Sequence, residues 1–386
     1  MSDHLLLGLD IGTTHCKAGL VRSDGRLLQI ATRPTPLCRD ADGNPCYDPN
    51  ALWQIALDVL RDVMMETDTA RVAALGIASM AESGLLVDRA TGAPRSPVLP
   101  WFDRRATAQA EQIAQADVDG EQFRRTGLPP SFKHGLPKIL WLRARDRRVT
   151  QGACWLSVAD YLAYRLTGEM WSDPTLAART FAFNVPEQRW DGAWLARWGL
   201  DESLFPPVRQ SGAPGSSVVR DEAGIGRGTP VAIAGHDHLC AAVAVGEMPP
   251  GVVFNSMGTA EALLGSLDAW ATVEDEGPSS GLTFGRHVLA DQWLWLGGLP
   301  ASGGSVEWAR ALLGETPLDY DSLERLLEEA GDAPTGIFYF PYLAGRGAPH
   351  PDGREDTGER DEPEGEEQER GLVGLVERAR PHLEGP

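Results

Sequence analysis

The sequence has few cysteines and lacks long apolar runs. Its five cysteines, Cys16, Cys38, Cys46, Cys154 and Cys240, are odd in number and include no CxxC pair. This pattern favours reduced thiols in a cytosol over a disulfide framework or a zinc site. No stretch approaches the roughly 18 uninterrupted apolar residues that a membrane helix needs. The start of the chain also lacks a basic leader with a cleavage site, so we expect a cytoplasmic protein.

Positive charge is also scarce. The 386 residues include 55 acidic and 35 basic side chains, and the formal net charge is -20. Nucleic acids and anionic membranes call for a basic surface that replaces counterions. We therefore expect no nucleic acid and no membrane as a partner, and a small molecule instead. The length is typical of two domains.

Apolar periodicity predicts alternating strands and helices, hence an α/β protein. The chain opens with an antiparallel meander whose turn is the SDG of residues 23–25. Residues 48–66 show helical spacing after an Asp/Pro/Asn start, and Gly168 ends a later helix. On another amphipathic helix, we predict that Lys138 lies on a solvated or salt-bridged face.

Two Gly-Thr turns follow predicted strands, in GLDIGTTHCKAGL and in NSMGTAEALLG. Such turns expose backbone N–H groups and hydroxyls to an anion, and Asp10 before the first turn can hold hydrated Mg²⁺. Neither the Walker motif GxxxxGK[ST] nor the dinucleotide motif GxGxxG is present. Each turn alone could be an ordinary hairpin turn. Together they suggest a pair of hairpins that bind one polyphosphate.

The triplet His236-Asp237-His238 precedes a run of small apolar residues. Adjacent strand residues point to opposite faces, so we do not expect His236 and Asp237 to share a metal ion. A carboxylate at a strand-to-helix junction is well placed to accept a proton from a substrate hydroxyl. The alternative is that Asp237 only caps the following helix.

Taken together, these motifs resemble those of the FGGY carbohydrate kinase family, relatives of glycerol kinase and xylulokinase. The resemblance runs from about residue 5 to residue 345, through GLDIGTTHCKAGLV, IASMAESGLLVDRATGAPRSPVLPWFDRRA, GHDHLCAAVAVG and VFNSMGTAEALL. It implies an actin/hexokinase/Hsp70-like (RNase H-like) ATPase fold with two domains and a cleft between them.

The resemblance also implies a set of roles. Asp237 would be the general base, and Asp10 would hold Mg²⁺ through water. The residues that would contact the phosphates of ATP are Gly12, Thr13, Thr14, Lys17, Gly258 and Thr259. The sugar or polyol would be contacted by Glu82, Trp101, Asp103, His236 and His238.

Some of these sugar contacts have alternatives. Trp101 could belong to the core, and Asp103 could form a surface ion pair with Arg104. Met80 stands where relatives commonly have glutamine, and Ala81 where glycerol kinases have arginine. Both departures count against glycerol and favour a ketose or a longer polyol.

We expect an N-terminal kinase domain over residues 1–247 and a partial C-terminal domain over residues 248–349. Residues 350–386 should form a disordered acidic tail, since residues 351–370 carry ten acidic and three basic side chains. The family's glycine-rich adenine loop, GG[GA]xxS, is absent after residue 305. The second domain is therefore expected to be truncated.

Three functions remain open at this point. The first is an ATP-dependent carbohydrate kinase. The second is a catalytically silent sugar-binding remnant, and the third is a sugar-independent ATPase of the same fold. The resemblance also suggests a homodimer, although no interface is evident in the sequence.

Overall fold

The computed structural model describes residues 4–246, 249–258, 260–270, 281–299, 301–313, 316–331 and 343. Its strands are β1 (Leu5–Ile11), β2 (His15–Arg22), β3 (Leu27–Pro34), β4 (Leu37–Arg39), β5 (Pro45–Tyr47), β6 (Val72–Ser79), β7 (Gly84–Asp88), β8 (Ala153–Ser157), β9 (Phe183–Asn184), β10 (Arg189–Trp190), β11 (Pro214–Ser217), β12 (Pro230–His236), β13 (Val253–Met257), β14 (Glu261–Leu267), β15 (Thr283–Arg286) and β16 (Trp293–Leu299). Its α-helices are α1 (Pro49–Met64), α2 (Thr107–Ala116), α3 (Glu121–Thr126), α4 (Gly135–Arg145), α5 (Val158–Thr167), α6 (Pro174–Ala178), α7 (Gly192–Arg197), α8 (Asp237–Val245), α9 (Gly303–Leu312) and α10 (Tyr320–Ala330). The predicted acidic tail lies outside the described residues.

Six strands form the main sheet, in the order β11-β12-β6-β1-β2-β3. The first three strands of the chain pair antiparallel, which confirms the predicted meander, and Gly25 lies in the turn between β2 and β3 at a φ of 87°. By contrast, β6 pairs parallel with both β1 and β12. The carboxyl ends of β1, β6 and β12 therefore meet at one edge of the sheet.

The core follows the period of each element. In β1, Leu5, Leu7, Leu9 and Ile11 are buried while the residues between them are not, as expected when one face packs against helices. The predicted helix at residues 48–66 is confirmed as α1, which packs on β2 and β3. Its N-cap is the Asp48 side chain, which accepts hydrogen bonds from the first turn.

On the same sheet, α5 packs against β6 and β12. A capping box starts the helix: the Ser157 side chain accepts from the backbone of Asp160, whose carboxylate accepts from the backbone of Ser157. Gly168 ends it at a φ of 76°, in the predicted capping position. Local sequence signals therefore place both ends of this helix.

The prediction for Lys138 is wrong. Its side chain, on α4, is fully buried, and Nζ donates hydrogen bonds to the backbone oxygens of Glu82 (2.7 Å) and Leu99 (3.4 Å). Burial lowers the pKa of this amine to about 7. The two carbonyls make burial tolerable because they replace the hydration of the ammonium group.

A second sheet has four strands, in the order β13-β14-β16-β15. The chain divides into two compact units: Met1–Phe254 with Gly265–Pro278 and Leu282–Trp295, and Asn255–Leu264 with Ser279–Gly281 and Leu296–Pro386. The predicted domain boundary near residue 248 stays a prediction. Among the described residues, no helix is both long and apolar enough to span a membrane.

The central strand β6 should be the most sensitive to loss of side-chain volume. Ile77 on this strand has no exposed surface. We expect Ile77→Ala to lower the free energy of unfolding by about 2 to 5 kcal/mol, because it leaves a cavity in a packed core. Urea denaturation checks this value. Ile30→Ala on the edge strand β3 is the matched control. Ile30 is 61% exposed, so the cost there should be below about 1 kcal/mol.

Candidate active site

The carboxyl edge of the main sheet gathers acidic side chains from three segments. Asp10 lies near the end of β1, Glu82 lies in the loop after β6, and Asp237 directly follows β12. Burial raises the pKa of Asp10 to about 7; the nearby charge of Asp237 raises it further, while Lys17 lowers it. The two aspartates therefore share one electrostatic environment.

Asp10 is suited to hold a cation. Its Oδ1 is buried and has no hydrogen-bond partner among the described residues. Lys17 stands directly opposite on β2, so both side chains lie on the same face of the sheet. A buried carboxylate oxygen without a donor is an available ligand for Mg²⁺, which prefers oxygen ligands.

The first Gly-Thr turn joins β1 to β2. The N–H of Gly12 bonds to the backbone oxygen of His15, and the Thr35 hydroxyl donates to the Gly12 carbonyl. These bonds keep the turn tight. Thr14 and Lys17 are exposed beside it, so they offer a hydroxyl and an ammonium group to an anion.

Trp101 links this turn to the predicted sugar-contacting segment. Its indole Nε1–H donates to the Thr13 hydroxyl at 2.8 Å, and its backbone N–H donates to Ser83 Oγ at 3.0 Å. The ring is partly buried against the core. Trp101 is therefore both a core neighbour and a hydrogen-bond partner of the turn.

Asp237 is the first residue of α8, whereas the N-cap position belongs to His236. Asp237 is therefore not the N-cap residue, although its carboxylate does bond to a backbone N–H of the first turn. Its Oδ1 accepts from the backbone N–H of His238 at 2.7 Å, and 23% of its side chain is exposed. Burial raises the pKa of Asp237, the charge of His238 lowers it, and Glu82 raises it.

The two histidines flank this carboxylate. His236 Nε2 lies 3.3 Å from Asp237 Oδ1, and burial lowers the pKa of His236 well below its usual value. The side chains of all three residues offer ligand atoms within 4.8 Å of one another. The expectation that His236 and Asp237 point apart is wrong, because the strand ends at His236 and a helix begins at the next residue.

Glu82 adopts an unusual backbone conformation, with a φ of 58°. Its carbonyl is held by Lys138, and its carboxylate lies 3.6 Å from Arg179 Nε. Glu82, Arg179 and Trp155 line one opening in the first unit. Strain of this kind costs about 1 to 3 kcal/mol and is often found at functional sites. Arg179 was missed from the sequence because no local pattern marks it.

Asp103 is only 1% exposed and pairs with Arg105, which is also buried. Arg105 in turn donates to Asp40 Oδ2 and to the Pro45 carbonyl. The alternative of a surface ion pair is wrong, because the Asp103 side chain is buried and its ion-pair partner is Arg105. Asp103 thus belongs to a network that joins two loops.

A second buried network holds the end of β12. Asp173, the N-cap of α6, bonds to Thr175 and to the Ser211 hydroxyl, and Thr175 Oγ1 accepts from the N–H of His236 at 2.9 Å. Gly235 has a φ of 124° at a register shift of this strand. The Asp-Pro pair at residues 173 and 174 signals a helix start, yet not this contact.

The second Gly-Thr turn belongs to the other unit. Gly258 lies between β13 and β14, and its N–H bonds to the backbone oxygen of Ala260 at 2.9 Å. Thr259 lies outside the described residues. The predicted phosphate role of this turn stays a prediction.

Comparison with known proteins defines the class. The chain is 29% identical over 359 residues to a glycerol kinase of Gloeobacter violaceus, covering 89% of this chain and 69% of that protein. It is 31% identical over 364 residues to a glycerol kinase of Thermus brockianus, covering 89% and 70%. A crystal structure of a xyloylose kinase from Brucella ovis matches with a TM-score of 0.77 and 26% identity, over 90% of this chain and 70% of that one. The protein is therefore a carbohydrate kinase with the actin/hexokinase-like fold, a phosphotransferase with an alcohol acceptor.

The family follows from the model that matches residues 5–244, described as the FGGY family of carbohydrate kinases, N-terminal domain. This match covers more than half of the chain. The protein belongs to the FGGY family, as its motifs suggested.

The packing around Gly235 predicts that it tolerates no side chain. A Cβ there would lie 2.6 Å from Thr175 Oγ1 and 3.0 Å from Asp173 Oδ2. We expect Gly235→Ala to lower the midpoint of thermal unfolding strongly, because backbone strain and a clash with a buried network add together. Gly224→Ala is the control. Gly224 also has a positive φ, of 71°, but its Cβ would have no neighbour within 4 Å. Equal shifts for the two variants would contradict the clash.

The raised pKa of Asp10 predicts a pH-dependent stability. The folded pKa is about 7, above the usual value of 3.8 for an aspartate, so stability is lost as pH rises through this range. Asp10→Asn removes the ionisation. The stability advantage of the variant over wild type should therefore be about 2 to 3 kcal/mol larger at pH 8 than at pH 5. Urea denaturation in EDTA measures this difference. Asp42→Asn, at an exposed carboxylate, should show no such gain, and an equal offset of Asp10→Asn at both pH values would refute the prediction.

Proposed function

We propose that this kinase transfers the γ-phosphate of ATP to a hydroxyl of a ketose or polyol, with Asp237 as general base and Mg²⁺ held by Asp10 through water. The observation that carries this proposal is that both carboxylates lie at the carboxyl edge of three parallel strands, close enough for the charge of Asp237 to raise the pKa of Asp10. The family and its relatives support the reaction class.

The surroundings of Asp237 suit proton transfer. Burial raises the pKa of Asp237, which makes this carboxylate a stronger base than an ordinary aspartate. The N–H of His238 orients one carboxylate oxygen. We infer that a partly exposed carboxylate held in this way accepts the proton of the substrate hydroxyl as that hydroxyl attacks phosphorus.

Mg²⁺ fits the unpartnered Oδ1 of Asp10. When bound, the ion neutralises charge on the phosphates, and phosphoryl transfer depends mainly on such neutralisation and on positioning. Thr14 on the turn and Lys17 on β2 then provide a hydroxyl and a cation for the phosphates. We propose Gly12 and Thr13 of the same turn as phosphate contacts, and Gly258 with Thr259 as further phosphate contacts.

For the sugar we propose Glu82, Trp101, His236, His238 and Asp103 as contacts. The ion pair with Arg105 holds the Asp103 carboxylate in place. A carboxylate accepts hydrogen bonds from vicinal hydroxyls, and an indole face packs on C–H bonds. Met80 and Ala81 are both 2% exposed and offer no polar side-chain atom. Because Met80 and Ala81 depart from the glutamine and arginine that the resemblance to glycerol kinases leads us to expect, we propose a ketose or a longer polyol over glycerol.

The decisive experiment measures ADP release by the full 386-residue chain with Mg-ATP and a panel of pentuloses, hexuloses, polyols and glycerol. Loss of a general base typically reduces the rate by about 10² to 10⁴. We therefore expect Asp237→Asn to lower kcat by this factor. Asp42→Asn keeps a matched charge change on the surface and should retain the wild-type rate.

Each other outcome selects another function. Folded protein without turnover on any sugar supports the silent sugar-binding remnant. ADP release that needs no sugar supports the ATPase, and turnover on glycerol alone contradicts the interpretation of Met80 and Ala81. Full activity of Asp237→Asn would remove this residue from the mechanism.

A further inference from the structure

Two cysteines face each other in the small sheet formed by β4 and β5. Cys38 and Cys46 are direct partners in the antiparallel register, and their sulfur atoms lie 3.0 Å apart. Opposite residues of such a pair point to the same face, with Cβ atoms about 4.5 to 5.5 Å apart. A disulfide needs an S–S distance of about 2.05 Å and Cβ atoms near 4 Å apart. Bond formation therefore requires a shift of about 1 Å and no new backbone path.

The two thiols differ in access. Cys38 is half-buried, and its neighbour Leu37 is 53% exposed, whereas Cys46 is only 4% exposed. Burial raises the pKa of Cys46 to about 12, and its hydrogen bond with Cys38 adds to this shift. An external reagent therefore reaches Cys38 first. Cys46, buried and with a raised pKa, reacts poorly with external reagents, and its sulfur lies only 3.0 Å from the Cys38 sulfur that it attacks in the second step.

We propose that Cys38 and Cys46 are a modification site at which low-molecular-mass disulfides form a reversible intramolecular disulfide. The Cys38 thiolate attacks one sulfur of the reagent, whose S–S bond breaks and releases the first thiol. The Cys46 thiolate then attacks Cys38 in this mixed disulfide and displaces the second thiol. The two protein thiols lose two electrons and two protons, and the reagent disulfide gains them as two thiols.

The position of this site gives the modification a structural consequence. The hairpin of β4 and β5 provides Asp40 and Pro45 as acceptors for Arg105. Tyr47, next to Cys46, donates its hydroxyl to the Thr13 carbonyl at 3.2 Å. A covalent bond across the hairpin constrains both contacts. An effect of the disulfide on catalysis rests on the proposed function, because Thr13 and Asp103 have roles in catalysis or sugar binding only under that proposal.

The test is chemical and independent of kinase activity. The reduced full chain is incubated with oxidised glutathione at mildly alkaline pH, trapped with acid, denatured and titrated for thiols. All five cysteines are free in the structure, so we expect two of the five thiols to disappear and the mass to fall by about 2 Da. Peptide mapping should show Cys38 linked to Cys46, and a dithiol reductant should restore all five thiols.

Two serine variants sharpen the test. Cys46→Ser should stop at one glutathione on Cys38, because no resolving thiol remains. Cys240→Ser, at another half-buried cysteine, should still lose two thiols. Peptide mapping of the oxidised wild-type chain tests the proposal even if a variant fails to fold. Five remaining thiols, a stable glutathione adduct on wild-type Cys38, or a linkage to another cysteine would overturn it.

Discussion

The parallel pairing of β1, β6 and β12 is the constraint on which the site depends. Parallel neighbours end at the same edge of a sheet, so segments far apart in the chain deliver their side chains to one place. Asp10, Glu82 and Asp237 come from three such ends. Burial raises the pKa of Asp10, and the nearby charge of Asp237 raises it further; a cation or a proton can relieve the resulting electrostatic cost.

Buried polar networks then fix the geometry around this edge. Asp173 and Thr175 hold the end of β12, where Gly235 leaves no space for a side chain. Lys138 holds the carbonyl of Glu82. Each network replaces the hydration of buried polar groups with protein hydrogen bonds, which makes it rigid. Site residues supported in this way keep their positions without help from the substrate.

Much of this arrangement was accessible from the sequence. A short apolar run predicted β1, helical spacing and the Asp/Pro/Asn start predicted α1, and Gly168 predicted the end of α5. These features depend on neighbours in the chain, so local patterns report them. The order of several motifs was specific enough to identify the family, although single turns were not.

The tertiary structure decided the features that depend on contacts distant in sequence. Lys138 shows a helical pattern that also suits a solvated face, and only the carbonyls of Glu82 and Leu99 explain its burial. Arg179 and the contact between Cys38 and Cys46 have no local signature, because partners from separate segments create them. The sequence by itself determined the elements, the family and the chemistry-bearing residues. Packing decided which of those residues meet, since charge, burial and distance arise only when separate segments come together.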